Sequence, residues 1–227
     1  MRLLLSLLTV LVCAPEAAAQ APKPNIVVLI ADDMGWNDVG TRNPKMVTPN
    51  LVKLAKDGAE LQRFYGYPVC SPARAGLLTG VLPRRLGLVN IIMPGQAGIT
   101  KATPTLPSKL KAAGYATSLI GKWHLGLEAP NTPNERGFDF FHGFLGDMMD
   151  SYTKHLRHGN NYLRRDRAVI TPQGHATDLF TDWACDQLRA RAADRQPFFL
   201  YLAYNAPHSP IEPPADWLAR VKERNPG

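Results

Sequence analysis

Cysteine is scarce in this chain: of 227 residues only Cys13, Cys70 and Cys185 carry a thiol. Cys13 lies in the leader described below, so at most one disulfide, Cys70 to Cys185, is open to the remainder, and a scaffold stapled by many disulfides is excluded. Long apolar runs are equally lacking. The stretch from Leu3 to Val12 is too short to cross a bilayer, and no later segment reaches the roughly 20 consecutive apolar residues that a membrane helix requires. No internal repeat or low-complexity tract follows the N-terminus. Acidic side chains are the minority, 19 against 26 lysines and arginines, and the resulting net charge of +7 suits an anionic substrate.

What is present begins with a leader. Met1 to Ala19 combines Arg2, the apolar run and the small-residue ending Ala17-Ala18-Ala19, which is the pattern of a signal peptide. Cleavage after Ala19 discards Cys13 and leaves residues 20–227 as an exported unit, periplasmic or secreted, with no membrane span. An exported protein makes nucleic acid a poor partner. At 45% hydrophobic residues the unit can bury a core.

Three short apolar runs, Asn25 to Ala31, Tyr115 to Ile120 and Pro197 to Tyr204, read as buried parallel strands. Helical patterns lie between them. Pro49 opens one that stops at Gly58, Leu106 to Ala113 stops at Gly114, and Ala176 to Ala193 carries an apolar stripe with acids early and arginines late. Alternating strands and helices predict an α/β sheet covered on both faces, with ligands bound beyond the carboxyl ends of the strands. Asn90 to Thr105 and Glu128 to Thr171 show little periodicity and read as long surface loops. The basic run Arg157 to Arg167 reads as a solvated face, with a sulfated polymer as the alternative partner.

The chemistry concentrates in Cys70-Ser-Pro-Ala-Arg-Ala-Gly-Leu-Leu-Thr-Gly80. Pro72 suits the first turn of a helix and Gly80 the residue after its end, which places Cys70 at the positive pole. Arg74 lies four residues on, where a guanidinium shares a face with residue 70 and can grip an oxyanion. This predicts a reactive cysteine in an anion-binding pocket. A thiolate phosphatase would need a longer loop between cysteine and arginine.

The run resembles the signature of the type I, formylglycine-dependent sulfatases, Cys-x-Pro-x-Arg with a Leu-x-Thr-Gly tail. The resemblance implies a mostly parallel sheet sandwiched by helices, of the alkaline phosphatase and sulfatase kind. It also implies that Cys70 is converted by a maturation enzyme to Cα-formylglycine. The hydrated aldehyde would attack the sulfur of a sulfate monoester through one hydroxyl and expel sulfate through the other. Gly114 to His124 resembles the second signature, with Lys122 on a sulfate oxygen and His124 as proton-transfer partner. Ala206-Pro-His208-Ser-Pro resembles a third segment, in which His208 binds the sulfate and helps protonate the departing alcohol. Asp32 and Asp33 are adjacent carboxylates at a strand end, which repel each other unless a cation holds them. By resemblance that cation is calcium, held by Asp32, Asp33 and an oxygen of the modified Cys70. A loop with Asp150, Tyr152 and His155 carries a weaker likeness and reads as surface.

The likeness implies the front part of a longer catalytic domain. A Ser-Asp-Asn-Gly strand end, a further lysine and a small C-terminal domain are expected after His208, where this chain offers Asp216 and Asn225. Three functions stay open: a hydrolase acting on a sulfated small molecule or polysaccharide, a phosphonate or phosphate ester hydrolase of the same superfamily, and an inactive fragment that binds sulfated glycans.

Overall fold

The computed structural model describes residues 21–224, so the leader, Cys13 and Asn225 lie outside the described residues. In chain order the elements are β1 (Ile26–Asp32), α1 (Pro49–Asp57), α2 (Cys70–Thr79), α3 (Leu106–Ala112), β2 (Ala116–Lys122), β3 (Phe140–Phe144), β4 (Leu156–Arg157), β5 (Asn160–Asn161), β6 (Leu163–Arg165), β7 (Ala168–Val169), α4 (Ala176–Ala192), β8 (Phe198–Pro207) and α5 (Ala215–Arg224). The main sheet runs β1-β8-β2-β3-β6-β7; its first four strands are parallel, while β6 and β7 extend it antiparallel. This is the mixed, mostly parallel sheet that the alternation of patterns predicts.

The three apolar runs are neighbours in the sheet. β8, last in sequence, sits between β1 and β2 because its side chains are apolar on both faces: Phe199, Tyr201 and Ala203 join one core, and Phe198, Leu200 and Leu202 the other. Ala75 and Leu78 of α2 cover the first face. Ala176, Phe180 and Ala184 of α4 cover the second. Among the described residues no helix is long and apolar enough to cross a membrane.

Two expectations need correction. Glu128 to Thr171 is not a surface loop: it supplies β3, β6 and β7, and Phe141 and Phe144 are fully buried. Its strands are too short, and its glycines and arginines too frequent, to show a period in sequence; long-range pairing with β2 creates them. The basic run is solvated at His158, Arg165 and Arg167, but two of its arginines are engaged. Arg157 makes paired hydrogen bonds to the Asp147 carboxylate (3.0 and 3.0 Å) and a third to Asp150 (3.1 Å), and Arg164 donates to backbone carbonyls. Cys70 and Cys185 are both free thiols.

Candidate active site

Four segments meet at the carboxyl ends of the parallel strands. Helix α2 begins at Cys70 itself and ends on Gly80, whose φ of 68° is the left-handed cap that glycine adopts without a Cβ penalty. The strand β2 runs out through Gly121 at φ 98°, where a Cβ would lie 2.0 Å from the Ala203 carbonyl oxygen. Only glycine permits that approach, and the turn it makes delivers Lys122 and His124 to the site. On β1 and β8 the register slips between the pairs Ile30–Ala203 and Asp32–Pro207, leaving extra residues on β8. Such irregularities re-aim strand ends, and here the extra residues lead into His208. Asp33 and His124 both take left-handed backbone angles (φ 62° and 56°), conformations costly for residues with a Cβ.

Asp32 is the hub. Its side chain is 7% exposed; one oxygen pairs with the fully buried Lys122 ammonium, and the other lies 3.5 Å from Arg74 Nη2 and accepts a 3.4 Å contact from Cys70 Sγ. Burial alone would raise the Asp32 carboxyl, but Arg74, Lys122 and His208 outweigh it and hold it below its ordinary value. Arg74 Nη1 donates to the Lys122 carbonyl at 2.8 Å, tying α2 to the end of β2. Ser71 adds a second tie: its hydroxyl donates to the His124 carbonyl (2.9 Å) and accepts from the Ile92 amide (3.0 Å). Three charged groups in so little water carry a desolvation cost that close-packed apolar residues would avoid.

Cys70, Arg74, Asp32 and Asp33 line an open cleft of about 890 Å³, together with Tyr201 and the aromatic segment Phe64 to Tyr67. The pocket matches expectation, but the reactive thiolate does not. Burial pushes the Cys70 thiol up, and Asp32 and Asp33 add to that shift against the opposing pull of Lys122. A helix N-terminus alone therefore does not make this thiol a nucleophile. His124 is buried, and burial, Lys122 and Arg74 push its imidazole down to about 3, so the ring is neutral near pH 7. Neither of its ring nitrogens has a hydrogen-bond partner.

Ligand atoms of Asp32, Cys70 and His208 lie within 4.8 Å of one another. Asp33 adjoins that group: its carboxylate lies 3.4 Å from His208 Nε2. Calcium takes about 6 to 8 oxygens. Asp32 within the group and Asp33 beside it are hard oxygen donors of the kind calcium takes, whereas the thiol sulfur is too soft and fits only if residue 70 is oxidised to an oxygen-bearing group.

Four supporting residues were misplaced or missed by sequence reasoning. Tyr152 and His155 are buried rather than on a surface loop. The Tyr152 hydroxyl donates to the His208 carbonyl at 2.7 Å, its amide donates to Glu212 (2.6 Å), and its ring stacks on His175. The bond spans 56 residues, so the sequence offers the tyrosine without its partner. Tyr201, whose buried hydroxyl is unpartnered, lines the cleft, and Asn205, 2% exposed with neither amide atom partnered, follows it on β8; their signal is that they are polar groups in an otherwise apolar strand.

Comparison with known proteins follows this geometry. The family model described as Sulfatase matches residues 24–227. Arylsulfatase J of Mus musculus is 36% identical over 219 residues, covering 92% of this chain and 36% of the mouse protein. The arylsulfatase of Klebsiella aerogenes is 32% identical over 220 residues, covering 90% of this chain and 47% of its own. The chain thus spans less than half the length of these curated relatives. Among solved structures, that of Ps i-CgsB superposes with a TM-score of 0.82 at 32% identity, covering 88% of this chain and 49% of that one. The structure of BT4656, with its substrate D-glucosamine-2-N,6-O-disulfate, superposes with a TM-score of 0.73 at 28% identity, covering 88% and 38%. With a family match across all but its first residues and a fold shared with solved members, this chain belongs to the sulfatase family.

Proposed function

We propose that the protein carrying this chain is exported and hydrolyses sulfate monoesters, with Cys70 matured by a formylglycine-generating enzyme and calcium bound beside it. The observation that carries this reading is the buried Asp32–Lys122–Arg74 cluster packed against Cys70 at the start of α2, a set of charges with no purpose in packing. The raised thiol supports it further, because residue 70 is a poor nucleophile as cysteine. Asp32, Asp33 and an oxidised residue 70 would hold the calcium ion, which would supply Lewis-acid charge withdrawal from the sulfate, and the formylglycine hydrate would supply an oxygen nucleophile.

The chain's own residues do the rest. Arg74 fixes the helix start against β2 through the Lys122 carbonyl and keeps residue 70 in register with Asp32. Lys122, delivered from the end of β2 as a compact ammonium, holds a sulfate oxygen. Neutral His124 accepts a proton at a ring nitrogen, since neither nitrogen is otherwise engaged. His208, set by Asp33 on its ring and by Tyr152 on its carbonyl, faces the same cluster and protonates the departing alcohol.

The test is sulfate release from an aryl sulfate by the matured protein, with Cys70→Ala as control. Turnover abolished by the substitution supports the reading. Equal turnover in the variant, or a preference for phosphonate esters across a substrate panel, overturns it.

A further inference from the structure

The encoded thiol at residue 70 is too soft for calcium, and the atoms around it suit a different ion. The sulfur of Cys70, a carboxylate oxygen of Asp32 and a ring nitrogen of His208 all lie within 4.8 Å of one another. Thiolate, carboxylate and imidazole are the donors of zinc, which takes four ligands in a tetrahedron and leaves one position to water where the protein supplies three. Bonds of about 2.3 Å to sulfur and about 2.0 Å to oxygen set those two atoms about 3.5 Å apart in a tetrahedron. Cys70 Sγ and Asp32 Oδ1 stand at 3.4 Å.

His208 supplies a second, independent observation. Its Nδ1 lies 2.8 Å from the Ser209 carbonyl oxygen, which only accepts, so Nδ1 carries the proton. In the neutral ring Nε2 is then a bare lone pair, and it lies 3.4 Å from the Asp33 carboxylate. Two acceptors so placed call for a proton or a cation beside them. The local charges permit a cation. Asp32 and Asp33 offset Lys122 and Arg74, and a Cys70 thiolate adds a third negative charge. Lys122 pairs with the Asp32 oxygen remote from Cys70, so the oxygen beside the sulfur is shared with Arg74 alone, at 3.5 Å.

We infer that the protein, with residue 70 as the encoded cysteine, binds one zinc ion through Cys70 Sγ, Asp32 and His208 Nε2, with Asp33 beside it. Zinc displaces the thiol proton: the S–H bond breaks, the Zn–S bond forms, the proton leaves to solvent, and no atom changes oxidation state. The site belongs to the sulfur form of residue 70 and stands apart from the hydrolase reading, since hard calcium takes oxygen and gains nothing from sulfur or imidazole. Its consequence is protection. A thiolate held by zinc is slower to react with alkylating agents and oxidants, so a chain that folds before conversion keeps Cys70 as a thiolate.

The experiment adds the metal alone to the protein carrying this chain, produced without the maturation enzyme. Cobalt(II) stands in for zinc and reports sulfur ligation as a thiolate-to-metal charge-transfer band in the near ultraviolet. The expected result is a band that one equivalent of zinc bleaches and that Cys70→Ser lacks. His208→Ala should weaken zinc by more than about 100-fold, beyond the roughly 10- to 100-fold that loss of an outer partner costs. Zinc should also slow alkylation of Cys70 by iodoacetamide, while Cys185, a free thiol outside the cluster, keeps its rate. Absence of the band, its persistence in Cys70→Ser, equal protection of both cysteines, or unchanged zinc affinity in His208→Ala overturns the inference. Calcium that displaces zinc mole for mole overturns it as well, because such a site would be one of hard oxygens. Should His208→Ala fail to fold, the band and the protection of Cys70 in the parent decide alone. Aryl sulfate turnover by the matured protein is a separate readout, and its failure refutes the hydrolase reading while leaving the zinc site standing.

Discussion

Two carboxylate–cation networks in this molecule look alike in composition and differ in kind. Around Asp32 the partners are Lys122 and Arg74, with side-chain exposures of 7%, 0% and 4%. Around Arg157 the partners are Asp147 and Asp150, partly open to water with side-chain exposures of 19%, 21% and 43%. The second network forms where solvent lowers the cost of charge, and it pins the β4–β5 hairpin to the loop before it. The first forms where each ion pays the full loss of hydration, and it gathers at the end of three strands and the start of a helix. Folding alone gives no reason to keep it there, so its position is a mark of chemistry.

The largest test of that contrast is Cys70→Ala, expected to reduce turnover of an aryl sulfate to background while leaving Tm near that of the parent, since the small side chain contributes little packing. Next comes Lys122→Met, which strands the Asp32 charge: it should cost about 3 to 5 kcal/mol in denaturant unfolding together with all turnover. Adding Asp32→Asn should restore part of that stability but none of the turnover, and a double variant no more stable than Lys122→Met would break the account of the cluster as a coupled pair. Arg157→Gln should cost far less, on the order of 1 kcal/mol or below, as pairs open to water do. A cost equal to that of Lys122→Met would erase the comparison.

A pH dependence is expected away from both networks. His142 stacks on Trp183 with ring centroids 3.5 Å apart, and burial together with Arg165 pushes it down from 6.5 to about 4. Its folded value is depressed, so the stability it permits is fully present above pH 6.5 and is lost as pH falls toward 4. His142→Phe keeps the stack and removes the proton site. Its Tm should decline less than that of the parent over this window, and parallel profiles for the two proteins would refute the assignment.

Much of this was legible locally. Helix α2 carries its own start and stop, in Pro72 and Gly80, and the three apolar runs bounded by glycine, proline and charge became the parallel centre of the sheet. The site residues Asp32, Cys70, Arg74, Lys122 and His208 could be named because they lie at strand ends or within short signatures. The segment around β3 was illegible because its strands exist through pairing with β2, and Tyr152 because its role is a bond to a carbonyl far along the chain.

The sequence by itself determined the three central strands and the helices between them, the family and the chemical types at the site, since propensity, capping and signature spacing act over a few residues. Only the tertiary structure decided that Lys122 pairs with Asp32, that His208 takes the Asp33 carboxylate and that the Cys70 thiol is raised rather than lowered. Those outcomes depend on burial and on groups brought together from far apart in the chain, 38 residues for Cys70 and Asp32 and 90 for Lys122 and Asp32, and desolvation is a property of the packed fold that no short stretch of sequence contains.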